Sequence, residues 1–251
     1  MMRKFCGTVV LLLCTTFMLS ASEIRVALIG SSACQGYNSK DPRLIYGWGE
    51  VIGKYFKSNV KILNFAKSGY SSKMFIDRGN WKKTLDSKPH YIFITIGAND
   101  SKKGAHRYTD PETAYRENIN MFIRETRAIG ATPVIVTINQ SLRYDKTRDK
   151  AVFFRGGKVF RKDREPYNKV LRDIARKEGL VCIDLARIQQ EKMEAMGEVK
   201  AGQLYRYDEK NKRIDPSHTN LKGAEFIAEI IIIELAKSSL PLRNELLPLK
   251  K

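Results

Sequence analysis

The sequence predicts an α/β protein: a three-layer α/β/α, doubly wound, five-stranded parallel sheet. Three observations lead there. Five short apolar runs of strand length recur along the chain, amphipathic helical patterns lie between them, and polar blocks rich in Gly, Ser, Asn and Asp follow the runs. Strands that read as continuous apolar runs are buried on both faces, which for sequential strand–helix units means a parallel sheet with helices on each side. In such sheets ligands bind beyond the carboxyl ends of the strands.

The runs, in order, are 24–30 (IRVALIG), 60–66 (VKILNFA), 91–97 (YIFITIG), 132–138 (TPVIVTI) and 180–185 (LVCIDL). The clearest helix covers 113–129, where Tyr115, Ile119, Phe122, Ile123, Thr126 and Ile129 recur at spacings of three and four. Pro111 opens it and Gly130 closes it, the usual asymmetry of helix ends. Two more helical patterns cover 166–178 and 221–237, the last rich in isoleucine and so suited to packing on the sheet. No Pro/Gly/Ser linker or internal repeat divides the chain, so residues 23–251 are expected to form one domain.

Residues 1–22 are expected to be a signal peptide and no part of that domain. Arg3-Lys4 is a basic head, the apolar run after it is about fifteen residues where a spanning helix needs roughly twenty, and Ser20-Ala21-Ser22 offers a small-residue cleavage site. The mature protein is therefore expected to be exported, periplasmic or secreted, with no stable membrane anchor; Cys14 lacks the small preceding residue that lipid attachment wants. Cys6 and Cys14 leave with the signal. Cys34 and Cys182 would sit near strands three positions apart, roughly 14 Å at about 4.8 Å per strand, beyond the about 7 Å reach of a disulfide. Two buried free thiols are expected.

The 251 residues are 29% charged and 43% hydrophobic, a globular composition that excludes collagen-like, coiled-coil, disulfide-scaffold, disordered and multi-span classes. The formal net charge is +18. Taking Arg3 and Lys4 from the 45 basic residues leaves 43 against 27 acidic ones, near +16 for the mature chain. Such a surplus favours an anionic partner, a polysaccharide or nucleic acid, or serves solubility alone. Part of it lies in an insert at 139–165, with nine basic and four acidic residues, four aromatic ones, and a Gly156-Gly157 pair that suggests a hairpin. This insert leaves a strand's carboxyl end and should border the active site. Its charges and rings suit an acidic sugar polymer; export argues against nucleic acid.

Four polar blocks carry the chemistry: Gly30-Ser31-Ser32, Asn64-Phe65-Ala66-Lys67-Ser68-Gly69, Gly97-Ala98-Asn99-Asp100 and Asp215-Pro216-Ser217-His218. A serine on a strand-to-helix turn needs a base to be nucleophilic near neutral pH. The chain has three histidines. His90 precedes the third strand and lies at the wrong end, and His106 has only Asp110 near it in sequence. His218 has Asp215 three residues earlier, across a turn stiffened by Pro216, so the carboxylate can hold Nδ1–H while Nε2 faces the serine. Asn99 can aim an amide donor, and Gly69 an unobstructed backbone N–H, at a developing oxyanion. Singly, each block has an ordinary alternative: a serine at a strand end is usually a helix cap, and Asn-Asp or Asp-Pro is usually turn chemistry. Their joint occurrence in this order is what points to acyl transfer.

These blocks resemble those of the SGNH (GDSL) hydrolase superfamily, and the stretches Asn64-x-Ala66-x-x-Gly69-x-Ser71-Ser72, Arg78-Gly79-Asn80-Trp81, Thr132-Pro133-Val134-Ile135-Val136-Thr137 and Asp215-x-x-His218-Thr219-Asn220-x-x-Gly223-Ala224 are similar to its rhamnogalacturonan acetylesterase family. The resemblance covers roughly residues 24 to 237. It implies the flavodoxin-like SGNH fold, Ser32 as nucleophile, Asp215 and His218 as its triad partners, and the N–H groups of Ser32 and Gly69 with the Asn99 side chain as the oxyanion hole. It implies no metal and no organic cofactor. The expected activity is removal of O-acetyl groups from a carbohydrate, foremost acetylated rhamnogalacturonan in pectin. Acetylated xylan, cell-wall glycan and short acyl or thioester substrates are the alternatives within the class, and a non-catalytic binder of anionic polysaccharide is the alternative outside it. The chain departs from the family at Ser31, where aspartate is usual, at Ala98, where histidine is frequent, and at Asn139-Gln140-Ser141-Leu142-Arg143, where paired arginines are common. The last two changes fall where substrate should lie and leave the triad alone.

Overall fold

A computed structural model describes residues 22–145, 150–152 and 163–249. The expected signal peptide, with Cys6 and Cys14, and most of the basic insert, including Gly156-Gly157, lie outside the described residues. The chain runs β1 (Ile24–Gly30), α1 (Trp48–Val51), β2 (Val60–Asn64), α2 (Ser72–Asp77), α3 (Asn80–Asp86), β3 (Tyr91–Thr95), α4 (Arg116–Ala128), β4 (Thr132–Val136), β5 (Arg143–Asp145), β6 (Lys150–Val152), α5 (Glu165–Lys177), β7 (Cys182–Ile183), α6 (Leu185–Met196), α7 (Glu198–Gly202), β8 (Tyr205–Asp208), β9 (Arg213–Thr219) and α8 (Leu221–Lys237).

Five strands form one parallel sheet in the order β2-β1-β3-β4-β7. This is the flavodoxin-like order, with its topological switch between β1 and β3. Alternation along β1 shows why the strand reads as continuously apolar. Val26 and Leu28 point into the layer with Trp48, Ile52, Ile227, Ile231 and Leu235, while Ala27 and Ile29 point into the layer with Phe75, Trp81, Ile119, Phe122 and Tyr167. Helices α1, α6 and α8 thus cover one face and α2 to α5 the other. Ile227, Ile230, Ile231, Ile232 and Leu235 of α8 are all buried, each contributing about 1.5–3 kcal/mol relative to exposure.

Asp110 caps the entry to α4, accepting from the Glu112 and Thr113 N–H groups at 3.0 and 3.2 Å, and Pro111 starts the first turn. That turn, Pro111–Tyr115, is wound as a π-helix before α4 proper begins. The strands are shorter than the apolar runs, and β7 keeps only two residues of 180–185, because Asp184 bonds to Arg172 and Thr137 and the chain turns into α6. Both Cys34 and Cys182 are free thiols; Cys34 is buried, whereas Cys182, on the edge strand, is only half-buried. Within the basic insert, β5 and β6 pair antiparallel, Arg143 with Val152 and Asp145 with Lys150. The ribbon β5–β6 lies against β9.

Candidate active site

The switch point places the loops after β1 and β3 side by side, and the loop after β2 joins them. Ser31 opens a tight turn after β1: its carbonyl accepts from the Cys34 and Gln35 N–H groups at 3.0 and 3.1 Å, and its side chain is buried. Ser32, next along, is half-exposed, which favours its hydroxyl over that of Ser31 as the one a substrate can reach. The Tyr37 hydroxyl donates to the Ser32 carbonyl at 3.1 Å and braces the turn. Lys67 N–H donates to the Gly30 carbonyl at 3.0 Å, and Ser68 N–H to Gln35 Oε1, so the β2 loop is stitched to the serine turn.

Gly69 holds φ +80, a conformation side chains disfavour. Its N–H and that of Ser32 have no acceptor among the described residues. Asn99 donates one amide hydrogen to the Tyr70 carbonyl at 3.0 Å, which fixes the side chain; its second hydrogen is available. The Ser32 and Gly69 N–H groups and the second Asn99 hydrogen thus have no protein acceptor among the described residues, the state expected of groups reserved for a ligand oxygen.

Asp100 anchors this arrangement. Fully buried, it accepts from Ser72 N–H at 3.0 Å, from the Ser72 hydroxyl and from the Thr109 hydroxyl at 2.6 Å. Asn118 in turn donates to the Ser72 hydroxyl at 2.9 Å. Burial pushes the Asp100 carboxyl above the ordinary carboxylate range, and the bonds from Ser72 and Thr109 oppose that rise. The start of α2, just beyond the second block, and the third block are thus locked together through one carboxyl group.

Asp215 and His218 come from the hairpin β8–β9. Its register runs Asp208 with Arg213 and Tyr207 with Ile214, then jumps to Tyr205 with Thr219, so Arg206 alone faces the four residues Asp215-Pro216-Ser217-His218. The turn foreseen at Pro216 is a bulge within β9. Inside it, Asp215 Oδ1 accepts from Ser217 N–H at 2.8 Å and His218 N–H at 3.2 Å, while Oδ2 pairs with His218 Nδ1 at 2.9 Å and accepts from Arg206 Nε at 2.8 Å. Burial raises the Asp215 carboxyl, but hydrogen bonds from His218, Ser217 and Arg206 outweigh it and hold the group well below the ordinary range. A carboxylate so held fixes Nδ1 as the protonated ring nitrogen and leaves Nε2 free to act. No hydrogen bond joins Ser32 Oγ to His218 among the described residues; in unliganded sites such contacts are often looser than in the reacting complex. Thr219 carries the bulge back to the serine loop, accepting from Tyr46 N–H at 2.9 Å and donating to the Tyr46 carbonyl at 2.8 Å.

Arg206 was not among the residues the sequence singled out. Its effect on stability should depend on pH in a definite direction. A carboxyl depressed in the folded state stabilises the fold above its unfolded value, about 3.9, and that contribution is lost as pH falls through the folded value. Arg206→Gln should therefore lower Tm at pH 7 by about 3 °C, with the gap closing below about pH 4. A gap equally wide at pH 3 and pH 7 would show that the residue acts through packing instead; its weaker partner Asp208, 3.7 Å from the guanidinium, is likewise a depressed carboxylate and would close the gap in the same direction.

His90 lies at the amino edge of the sheet, where its Nδ1 accepts from Arg25 N–H at 2.9 Å. His106 is exposed in the loop after β3. An open cavity of about 830 Å³ lies beside the hairpin, lined by Leu44, Val199, Tyr205, Tyr207 and Ile214 among others, and contains none of Ser32, Gly69, Asn99, Asp215 and His218. Among the described residues, no three His, Cys, Asp or Glu side chains converge as metal ligands do.

A model of the GDSL-like lipase/acylhydrolase family matches residues 28–225. The chain is 27% identical over 226 residues to the probable rhamnogalacturonan acetylesterase YesY of Bacillus subtilis, covering 88% of this chain and 97% of that one. It is 27% identical over 234 residues to an acetylxylan esterase of Xylanibacter ruminicola, covering 83% of this chain but 42% of the longer relative. The structure of the protein YXIM from Bacillus subtilis superimposes with a TM-score of 0.71 at 21% identity, over 88% of this chain and 58% of that one.

Proposed function

From the premise that this chain belongs to the GDSL-like lipase/acylhydrolase family, we propose that it is an exported carbohydrate acetylesterase acting on acetylated rhamnogalacturonan. The observation that carries the reaction is the Asp215–His218 pair, 2.9 Å apart in the β9 bulge and tied by Thr219 to the loop after Ser32. Ser32 Oγ attacks the acetyl carbonyl while His218 Nε2 takes its proton. Negative charge gathers on the former carbonyl oxygen, where the Ser32 and Gly69 N–H groups and the Asn99 amide receive it. The C–O bond to the sugar breaks and His218 returns the proton to the departing hydroxyl. Water then repeats the sequence on the acetyl-enzyme and releases acetate.

The rhamnogalacturonan reading is supported by YesY, which matches nearly end to end, and by the chain's net charge of +18, suited to a polyuronate. The Xylanibacter relative favours acetylated xylan as a second reading. A non-catalytic polysaccharide binder would have no use for a carboxylate that orients a histidine. Acetate release from acetylated rhamnogalacturonan and acetylated xylan, by residues 23–251 and by Ser32→Ala, separates these. Release from the pectic polymer that vanishes in Ser32→Ala is expected. Ser32-dependent release from xylan alone would keep the mechanism and discard the substrate, and release that survives in Ser32→Ala would discard the mechanism.

A further inference from the structure

Arg107 stands in the loop after β3, seven residues beyond Asp100. The loop is firm there: Tyr108 N–H donates to the Ala105 carbonyl at 2.9 Å, and the Thr109 hydroxyl is bound by Asp100. The guanidinium lies against the oxyanion loop, its Nη1 3.8 Å from where a Cβ on Gly69 would be. Its Nε is buried and finds no hydrogen-bond partner, and Arg107 forms no ion pair among the described residues. Two other partly buried arginines are charge-paired. Arg172 is bonded to Asp184 and Glu165, and Arg206 to Asp215. A cation drawn out of water without a counter-charge is unfavourable, and with none beside Arg107 among the described residues, its place beside the reacting ester suits an anion brought by the substrate.

We propose that Arg107 binds a carboxylate of the glycan, on the uronic acid that carries the acetyl group or on its neighbour, and so makes the enzyme prefer acetyl esters flanked by free uronate. The planar fork of a guanidinium matches the two oxygens of a carboxylate and distinguishes it from the hydroxyls of a neutral sugar. The contact would orient the sugar so that its ester lies over Gly69, Asn99 and Ser32. This inference rests on the acetylesterase reading above and deepens it.

The test uses acetylated rhamnogalacturonan oligosaccharides with equal acetyl content, one set with free carboxylates and one with the carboxylates methyl-esterified. For the wild type, kcat/KM for acetate release should be about tenfold or more higher on the free set. In Arg107→Gln the ratio should fall toward one, and Arg107→Lys, which restores a charge without the fork, should recover part of it. A wild-type ratio near one, or a ratio unchanged in Arg107→Gln, would overturn the proposal. So would an equal loss on both sets, which would mean that Arg107 serves the reaction or the fold and not the carboxylate. Ser32-dependent cleavage of 4-nitrophenyl acetate tells the two readings apart. If it persists while the wild type shows no preference, the carboxylate site falls and the esterase stands; if no acetyl ester is cleaved, both fall.

Discussion

His218→Ala is expected to lower kcat for acetate release by about 10⁴- to 10⁶-fold, while His90→Ala and His106→Ala leave it unchanged. The difference follows from position and partner. His218 is held by Asp215 at 2.9 Å in a bulge bonded to the loop that begins at Ser32. His90 is committed to Arg25 N–H at the opposite edge of the sheet, and His106 is exposed beyond the third block. Without the imidazole, Ser32 has no group to accept its proton, and only the oxyanion donors and substrate binding remain to accelerate the reaction. A serine-directed organophosphorus probe gives a second reading: the wild type should be labelled at Ser32 and His218→Ala should not. Retention of more than about a tenth of kcat in His218→Ala, or a comparable loss in His106→Ala, would remove His218 from the role of base.

How far the sequence discloses this arrangement depends on what each element contacts. Strands β1, β3 and β4 are legible because their central positions are buried on both faces and so are apolar whatever the pleat, whereas β2, at an edge, keeps Lys61 exposed amid its apolar residues. Helix α8 is legible from its buried isoleucines, Ile227, Ile230, Ile231 and Ile232. β7 is an edge strand paired over only two positions, Ile135 with Cys182 and Val136 with Ile183, and its apolar run overstates it. Helices α2 and α3 have six and seven residues, too few turns for a period to stand out. The hairpin β8–β9 leaves no apolar signature, since Arg213–Thr219 carries Asp215, Pro216, Ser217 and His218 where an ordinary strand would carry valine or isoleucine. The candidate site residues themselves could be read as polar groups at strand ends. Their supports could not: Ser72 meets Asp100 across 28 residues, Arg206 meets Asp215 only through the hairpin register, and Arg107 is notable for a buried Nε with no partner among the described residues. The one cue for Arg206 is its place in a short alternating run, Tyr205-Arg206-Tyr207-Asp208, just upstream of the fourth block.

Asp215→Asn should be nearly as damaging as loss of the histidine, about 10⁴-fold in kcat, although it removes no atom of any size. The carboxylate accepts at both oxygens: Ser217 and His218 N–H at Oδ1, His218 Nδ1 and Arg206 Nε at Oδ2. An amide must turn its NH₂ toward one side. Turned toward the backbone, it faces two N–H donors and loses both bonds. Turned toward Oδ2, it meets the Arg206 N–H and presents a donor to Nδ1, which then accepts; the ring proton moves to Nε2, the nitrogen that has to take the proton of Ser32. The first orientation costs the bulge and the second costs the base, so the variant should fold less stably or react with the wrong tautomer, and in neither case recover activity. Arg206→Gln leaves all bonds to His218 in place and should retain far more of kcat than Asp215→Asn. Equal losses in the two variants would mean that charge at this position, and not the direction in which Asp215 holds the imidazole, sets the rate.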